Sequence, residues 1–209
     1  MSPSPITTEN PVCRVHILAF DEVEALDLAG PYEVFTTASR VARRRQPAAP
    51  APFDVACVSR SRQPVRARAG LTLLPEHGFA DAPPCDLLVV PGGVVDAAMA
   101  CADTRQWLAQ AGAQATLVAS VCTGAFLLAA SGLLNGGPVT THWEDVPDLR
   151  RQFPTLEVRD NVRWVDQGRI VTSAGISAGI DMSLYLVQRL AGHDLAEATA
   201  RQMDYTWVR

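Results

Sequence analysis

The sequence contains no lysine: all 18 of its basic residues are arginine, set against 22 acidic residues, for a formal net charge of −4. No basic block builds up. The densest run, Arg43-Arg44-Arg45, lies close to Pro47 and Pro50 and reads as a solvated loop face. A mildly acidic chain of this kind lacks the electrostatic footprint of a nucleic-acid or anionic-membrane surface. Long apolar runs are missing as well. No stretch reaches the roughly 18 uninterrupted apolar residues of a membrane span. Residues 1–11 are polar and proline-containing, without the apolar centre of a signal peptide. These absences point to a cytoplasmic location. Paired cysteines are also lacking. Cys13, Cys57, Cys85, Cys101 and Cys122 make an odd count with no CxxC spacing, which speaks against a disulfide framework and a zinc site. In a reducing compartment they are expected as free thiols. There is no internal repeat and no linker. The expectation is a disordered lead over residues 1–12 and one domain over 13–209, long enough to bury a sizeable core.

What is present is a regular alternation of elements. Residues 15–20 form a short apolar run bounded by charge and read as a buried strand. Residues 21–27 read as a loop. A helix is expected to start near Pro31, because proline favours the first helical turn, and to continue through Tyr32, Val34, Phe35 and Ala38. Residues 43–52 read as an exposed connection or frayed helix end. A second strand covers 53–58, and residues 64–80 form a hairpin or extended excursion turning at Gly70. A third strand at 86–90 is closed by Pro91-Gly92-Gly93. A helix over 104–114 precedes a fourth strand at 115–120 and an apolar helix at 125–130. Short strands near 139–141, 158, 162–165 and 169–172 surround a polar helix at 144–151. Ile176, Ile180, Leu184 and Val187 have helical spacing, and a last helix runs from Leu195 towards Tyr205.

Strands alternating with helices predict βαβ crossovers and a mostly parallel sheet. Continuous apolar strands fit a sheet covered on both faces. The predicted fold is therefore a three-layer α/β sandwich. Ligands bind such sheets beyond the carboxyl ends of the strands, which singles out the loops at 21–30, 91–94, 121–124 and 140–143.

The loop with most chemistry is Ser120-Val121-Cys122-Thr123-Gly124-Ala125. A strand ends, one cysteine occupies the bend, and a helix begins at once with small residues, the pattern of a nucleophile elbow. The helix dipole and free N–H groups at such a bend favour thiolate over thiol. Cys122 is therefore the candidate nucleophile, and the other four cysteines are read as packing residues. Gly92 and Gly93 can bring backbone N–H groups close to a ligand; with the N–H of Thr123 they form a candidate oxyanion site. Asp27 has two readings: a helix-start or Asx-turn residue, or a carboxyl acting as general acid or base next to Cys122, with Glu22 and Glu24 as rivals. His142 is the candidate imidazole, and Trp143 beside it a candidate pocket wall. His16, His77 and His193 are read as structural.

Leu26-Asp27-Leu28-Ala29-Gly30-Pro31-Tyr32-Glu33-Val34, Pro91-Gly92-Gly93, Ser120-Val121-Cys122-Thr123-Gly124, Thr140-Thr141-His142-Trp143 and Ser173-Ala174-Gly175-Ile176-Ser177-Ala178-Gly179-Ile180-Asp181 occur in this order. Together they resemble the ThiJ/PfpI superfamily, over about residues 14–205. That resemblance implies a flavodoxin-like, class I glutamine amidotransferase-like fold and a homodimer, with residues 32–35 and 205–208 as candidate apolar contact surfaces. Within the superfamily the chain is most similar to isocyanide hydratases, which add water to an isocyanide to give an N-formamide. The resemblance implies Cys122 as nucleophile forming a thioimidate, Asp27 positioning water or moving protons, and a backbone or hydroxyl contact from Thr123. It places Gly175 and Ile176 in the pocket wall, and it implies a small-molecule substrate with no metal or organic cofactor. Two departures stand out. Thr123 occupies the position where PfpI-type members carry histidine, which argues against a peptidase-like reading. Ser173-Ala174 replaces the glycine-rich segment of the hydratases. The same motifs occur in the sensor halves of AraC-type regulators, whose DNA-binding module would need more than the roughly 17 residues after Gly192. Two alternatives stay open: a non-catalytic ligand sensor, and a glyoxalase-like enzyme acting on small aldehydes.

Overall fold

Three apolar runs form the middle of the sheet. β1 (Cys13–Leu18), β6 (Leu87–Val90) and β7 (Leu117–Val121) are buried almost throughout, as expected of parallel strands covered on both faces. They belong to a computed structural model that describes residues 12–209; all of the expected lead except Val12 lies outside the described residues. The remaining strands are β2 (Phe53–Ser59), β3 (Val65–Arg66), β4 (Thr72–Leu73), β5 (His77–Gly78), β8 (Pro138–Val139), β9 (Glu157–Val158), β10 (Trp164–Asp166) and β11 (Ile170–Ser173). Seven of them build one sheet in the order β10-β11-β7-β6-β1-β2-β5. All neighbours in it are parallel except β10 and β11. The molecule is thus the expected α/β sandwich with a mostly parallel central sheet. The excursion at 64–80 supplies the β3–β4 hairpin, with Gly70 at φ +97° in its turn, and then the edge strand β5.

Among the described residues seven α-helices flank the strands: α1 (Ala25–Arg45), α2 (Asp96–Ala100), α3 (Ala102–Gln114), α4 (Gly124–Ala130), α5 (Val146–Gln152), α6 (Ser177–Ala191) and α7 (His193–Gln202). α1, α6 and α7 pack together on one face, and α2, α3 and α4 on the other. Leu28, Pro31, Val34, Phe35, Ala38 and Val41 recur at helical spacing and form the buried stripe of α1. Phe35 meets Phe53 at 5.1 Å between ring centroids.

Two expectations about α1 are corrected. It starts six residues before Pro31, so Asp27 lies in its first turn and not in a loop. Pro31 is taken up inside the helix, where it cannot donate to the Asp27 carbonyl. Residues 32–35 are also no exposed apolar surface, since Val34 and Phe35 are fully buried. The C-terminal stretch is tied down on α6. Tyr205 Oη donates to the Ser177 carbonyl (3.2 Å), Trp207 Nε1 to the Asp181 carbonyl (3.1 Å), and Val208 N–H to Asp181 Oδ1 (2.9 Å). Asp181 is wholly buried and also accepts from Arg163 Nε at 2.6 Å. No helix among the described residues is long and apolar enough to cross a membrane.

The register aligns the strand ends that matter. Val90 pairs with Ser120 across β6–β7, and Val121 with Ser173 across β7–β11. The segments that follow, 91–95, 122–124 and 174–176, therefore emerge along one carboxyl edge of the sheet.

Candidate active site

Cys122 occupies the bend between β7 and α4 with φ +56°, a left-handed conformation uncommon for a residue with a side chain. The surroundings hold it there. Its N–H donates to the carbonyls of Ser173 (3.2 Å) and Ala174 (3.3 Å), and its carbonyl accepts the Thr141 hydroxyl at 2.9 Å. The helix can follow immediately because residue 124 is glycine: a Cβ there would strike the Val90 carbonyl oxygen. This is the strand–bend–helix geometry expected of a nucleophile elbow. Two further non-glycine residues on this edge have positive φ, Glu22 (+70°) and Ile176 (+47°).

Asp27 is fully buried. Its Oδ2 accepts the Gly92 N–H at 3.2 Å, while Oδ1 has no hydrogen-bond partner. Burial pushes the carboxyl up to about 6; the adjacent Cys122 thiol, the Gly92 N–H and the Ile176 backbone pull it the other way. The thiol is pushed up too, first by burial and then by the Asp27 carboxylate, against the pull of the Thr123 N–H. The expected preference for thiolate at this bend is thus reversed. The helix end contributes, but desolvation and the neighbouring carboxylate outweigh it.

Gly92 and Gly93 do not leave two free N–H groups for an oxyanion. The Gly92 N–H is taken by Asp27. The Gly93 N–H donates to Thr123 Oγ1 at 2.9 Å, and that hydroxyl donates back to the Gly93 carbonyl at 2.8 Å. Gly93 has φ +140°, and a Cβ on it would strike the Glu22 carbonyl oxygen. The turn therefore positions Asp27 and Thr123.

A cavity of about 350 Å³ opens over Cys122. Gly93, Thr123, His142 and Ile176 line it, as do Met99 and Phe126. Asp27 and Gly92 lie behind this wall. Trp143 and Gly175 line a separate hollow of about 330 Å³ on the other side of His142 and Ile176, and Trp143 is 72% exposed there. His142 lies against Gly175, where a Cβ would strike its ring. Its Nδ1 is 3.4 Å from Asp145 Oδ2 and 3.8 Å from Glu144 Oε2. No hydrogen bond joins His142 to Cys122; the ionisable group at the thiol is Asp27. Sequence reasoning missed the carboxylates of the lining: Asp96, Glu144, Asp145 and Asp148, with Glu24 noted only as a rival to Asp27. Of the expected pocket walls, Ile176 stands over the thiol and Trp143 does not, and much of the lining there is charged. Among the described residues no three His, Cys, Asp or Glu side chains converge as a metal site.

The cysteines divide differently from expectation. Cys13, Cys57 and Cys85 are buried thiols pushed up to about 12, 12 and 11, with burial the largest cause in each. Cys101 is not a buried packing residue. It is partly exposed where α3 begins, and hydrogen bonds from Thr104 draw its thiol below the ordinary value.

The chain is similar to known proteins along most of its length. Isonitrile hydratase of Pseudomonas putida is 37% identical over 193 residues, 92% of this chain and 78% of that protein. The HTH-type transcriptional regulator GbdR of Pseudomonas aeruginosa is 32% identical over 145 residues, 69% of this chain; the match spans 39% of the regulator's length. The crystal structure of a THiJ/PfpI family protein from Pseudomonas syringae superposes with a TM-score of 0.81 at 29% identity, covering 94% of this chain and 76% of that one. Residues 13–189 match the profile of the DJ-1/PfpI family, and the chain belongs to that family.

Proposed function

We propose that the protein is a cysteine-dependent hydratase that converts an isocyanide and water to an N-formamide. One observation carries this reading: a buried carboxyl, Asp27, stands at the Cys122 thiol, directly behind the wall of the cavity that this thiol lines. The similarity to isonitrile hydratase supports it. An isocyanide offers an electrophilic terminal carbon, and sulfur is the side-chain nucleophile suited to attack it near neutral pH. Asp27 takes the thiol proton as the C–S bond forms and delivers it to the same carbon, giving a thioimidate. Water then adds to that carbon. One water proton goes to nitrogen, and Asp27 returns the hydroxyl proton to sulfur as the C–S bond breaks. The products are the formamide and the free thiol, so one carboxyl serves every transfer. Burial suits Asp27 to the task, since a carboxyl at about 6 both accepts and releases a proton near neutrality.

A second reading, a ligand sensor without turnover, is favoured by the high proton affinity of the Cys122 thiol and by the similarity to GbdR. Turnover of a panel containing an alkyl isocyanide, methylglyoxal and a peptide separates the readings, with Cys122→Ser as control. The hydratase converts the isocyanide alone, loses this in Cys122→Ser, and keeps most of it in His142→Ala. Consumption of methylglyoxal with an inactive His142→Ala indicates the aldehyde-directed enzyme. No turnover at all indicates the sensor.

A further inference from the structure

The cavity over Cys122 is lined by five carboxylates, Glu24, Asp96, Glu144, Asp145 and Asp148, and by one guanidinium, Arg68. That leaves −4 in the lining, equal to the formal net charge of the whole chain. The rest of the chain is balanced, and the imbalance sits around the one thiol that lies beside a buried carboxyl.

Local compensation is incomplete. Arg68 reaches Glu24 only at 4.0 Å, and Arg151, which pairs with Asp148 at 2.7 Å, is 68% exposed outside the lining. Glu144 and Asp145 share one imidazole, and Asp96 makes no ion pair among the described residues. Burial pushes the Asp145 carboxyl up; His142 draws it back, and Asp148 and Glu144 push it up in turn. A concave, partly desolvated site focuses such a field.

A second observation comes from behind the wall. Asp27 Oδ1, on a fully buried side chain at the thiol, has no hydrogen-bond partner. The lining and the layer beneath Cys122 therefore both hold acceptors in excess. Met99, Phe126 and Ile176 supply the apolar surface between. No three carboxylates converge as metal ligands among the described residues, which leaves an organic cation as the better complement.

We infer that this site selects small molecules bearing a positively charged nitrogen, an ammonium or guanidinium group, at the end remote from the atom that Cys122 contacts. Under the hydratase reading, on which this specificity rests for its catalytic meaning, the preferred isocyanide carries such a group and an anionic one is refused.

The field is testable without any turnover. Methanethiosulfonates of equal reach bearing a trimethylammonium, a hydroxyl or a sulfonate group are reacted with the full chain, and labelling of Cys122 is followed by mass mapping. The rates are normalised to free cysteine, with Cys101 followed in the same digest. The expected result is a cationic-to-anionic rate ratio at Cys122 at least about 10-fold above that of free cysteine. It should collapse as salt rises from about 0.01 M to about 1 M and the screening length shortens from roughly 30 Å to roughly 3 Å. The ratio should fall again when Glu144→Gln, Asp145→Asn and Asp148→Asn are combined; the salt series on the unmodified chain gives the same answer if that variant does not fold. A ratio equal to that of free cysteine, or no labelling of Cys122 by any reagent, overturns the inference. In parallel, aryl isocyanides bearing a para trimethylammonium or para carboxylate group are compared by kcat/KM. Equal values with good turnover overturn the charge preference and leave the hydratase standing. A charge-selective thiol with no turnover of either does the reverse.

Discussion

Burial and, after it, Asp27 keep the proton of Cys122 on sulfur, and the Cys122 thiol in turn helps keep Asp27 ionised. The relation is asymmetric. The carboxylate raises the thiol through its charge and by accepting its hydrogen bond, whereas the same hydrogen bond lowers the carboxyl against the larger effect of burial.

Asp27→Asn therefore separates reactivity from catalysis. Without the carboxylate the thiol ionises more readily, so alkylation of Cys122 by iodoacetamide at pH 7 should speed up several-fold. Isocyanide turnover should nevertheless fall by about 10²-fold or more, because the group that moves protons is gone. Turnover left intact in the folded variant would reduce Asp27 to a helix-start residue.

The pH dependence of stability carries the same signature. The Asp27 carboxyl moves from an ordinary 3.8 to about 6 on folding, so its contribution is most favourable below about pH 4 and is lost as pH rises through 6. His16 moves the other way, from 6.5 to about 4, chiefly by burial and then by the neighbouring His77 at 6.0 Å. Its contribution is complete above 6.5 and is lost as pH falls towards 4. Each effect is on the order of 3 kcal/mol. They oppose one another between about pH 4 and 6, so Asp27→Asn should expose the His16 slope. Urea midpoints of the variant should climb with pH across this window, relative to a flatter unmodified chain. Parallel profiles contradict the assignment.

Cys101, not Cys122, should be the first thiol labelled by limiting iodoacetamide. It is partly exposed and drawn towards ionisation by Thr104, while Cys122 is only 8% exposed and pushed up. Peptide mapping at neutral pH decides, and early labelling of Cys122 would mean that its burial is relieved in solution.

A homodimer remains our expectation, with surfaces other than residues 32–35. Leu71 (55% exposed) and Leu74 (70%) on the β3–β4 excursion offer apolar area, as does Val208. Symmetric dimers are the commonest closed assembly. Sedimentation should give twice the 22.4 kDa chain mass at micromolar concentration, and a mass of 22.4 kDa at all dilutions would exclude the dimer.

The elements most legible in the sequence are those whose cause is local. Leu87–Val90 and Leu117–Val121 read as buried strands because both faces are covered, and Cys122 read as a bend because Gly124 and Ala125 admit a helix at once. Asp27 was harder to place. Proline's preference for a first turn put the start of α1 at Pro31, whereas tertiary packing of Leu28 and its neighbours carries the helix back to Ala25. The acidic lining was not legible at all. Glu24, Asp96 and the 144–148 group are far apart in the chain, and only the shared carboxyl edge of the sheet gathers them.

The backbone at Cys122 sets the thiol against the folding stability of its own chain. A left-handed residue with a side chain costs about 1–3 kcal/mol, which glycine does not incur. Cys122→Gly should therefore melt higher than Cys122→Ala, although it removes more side chain. Ile176, β-branched at φ +47° across the same cavity, repeats the conflict. Demand for robustness alone would favour glycine at both positions, so endurance and chemistry pull in opposite directions on this one edge of the sheet.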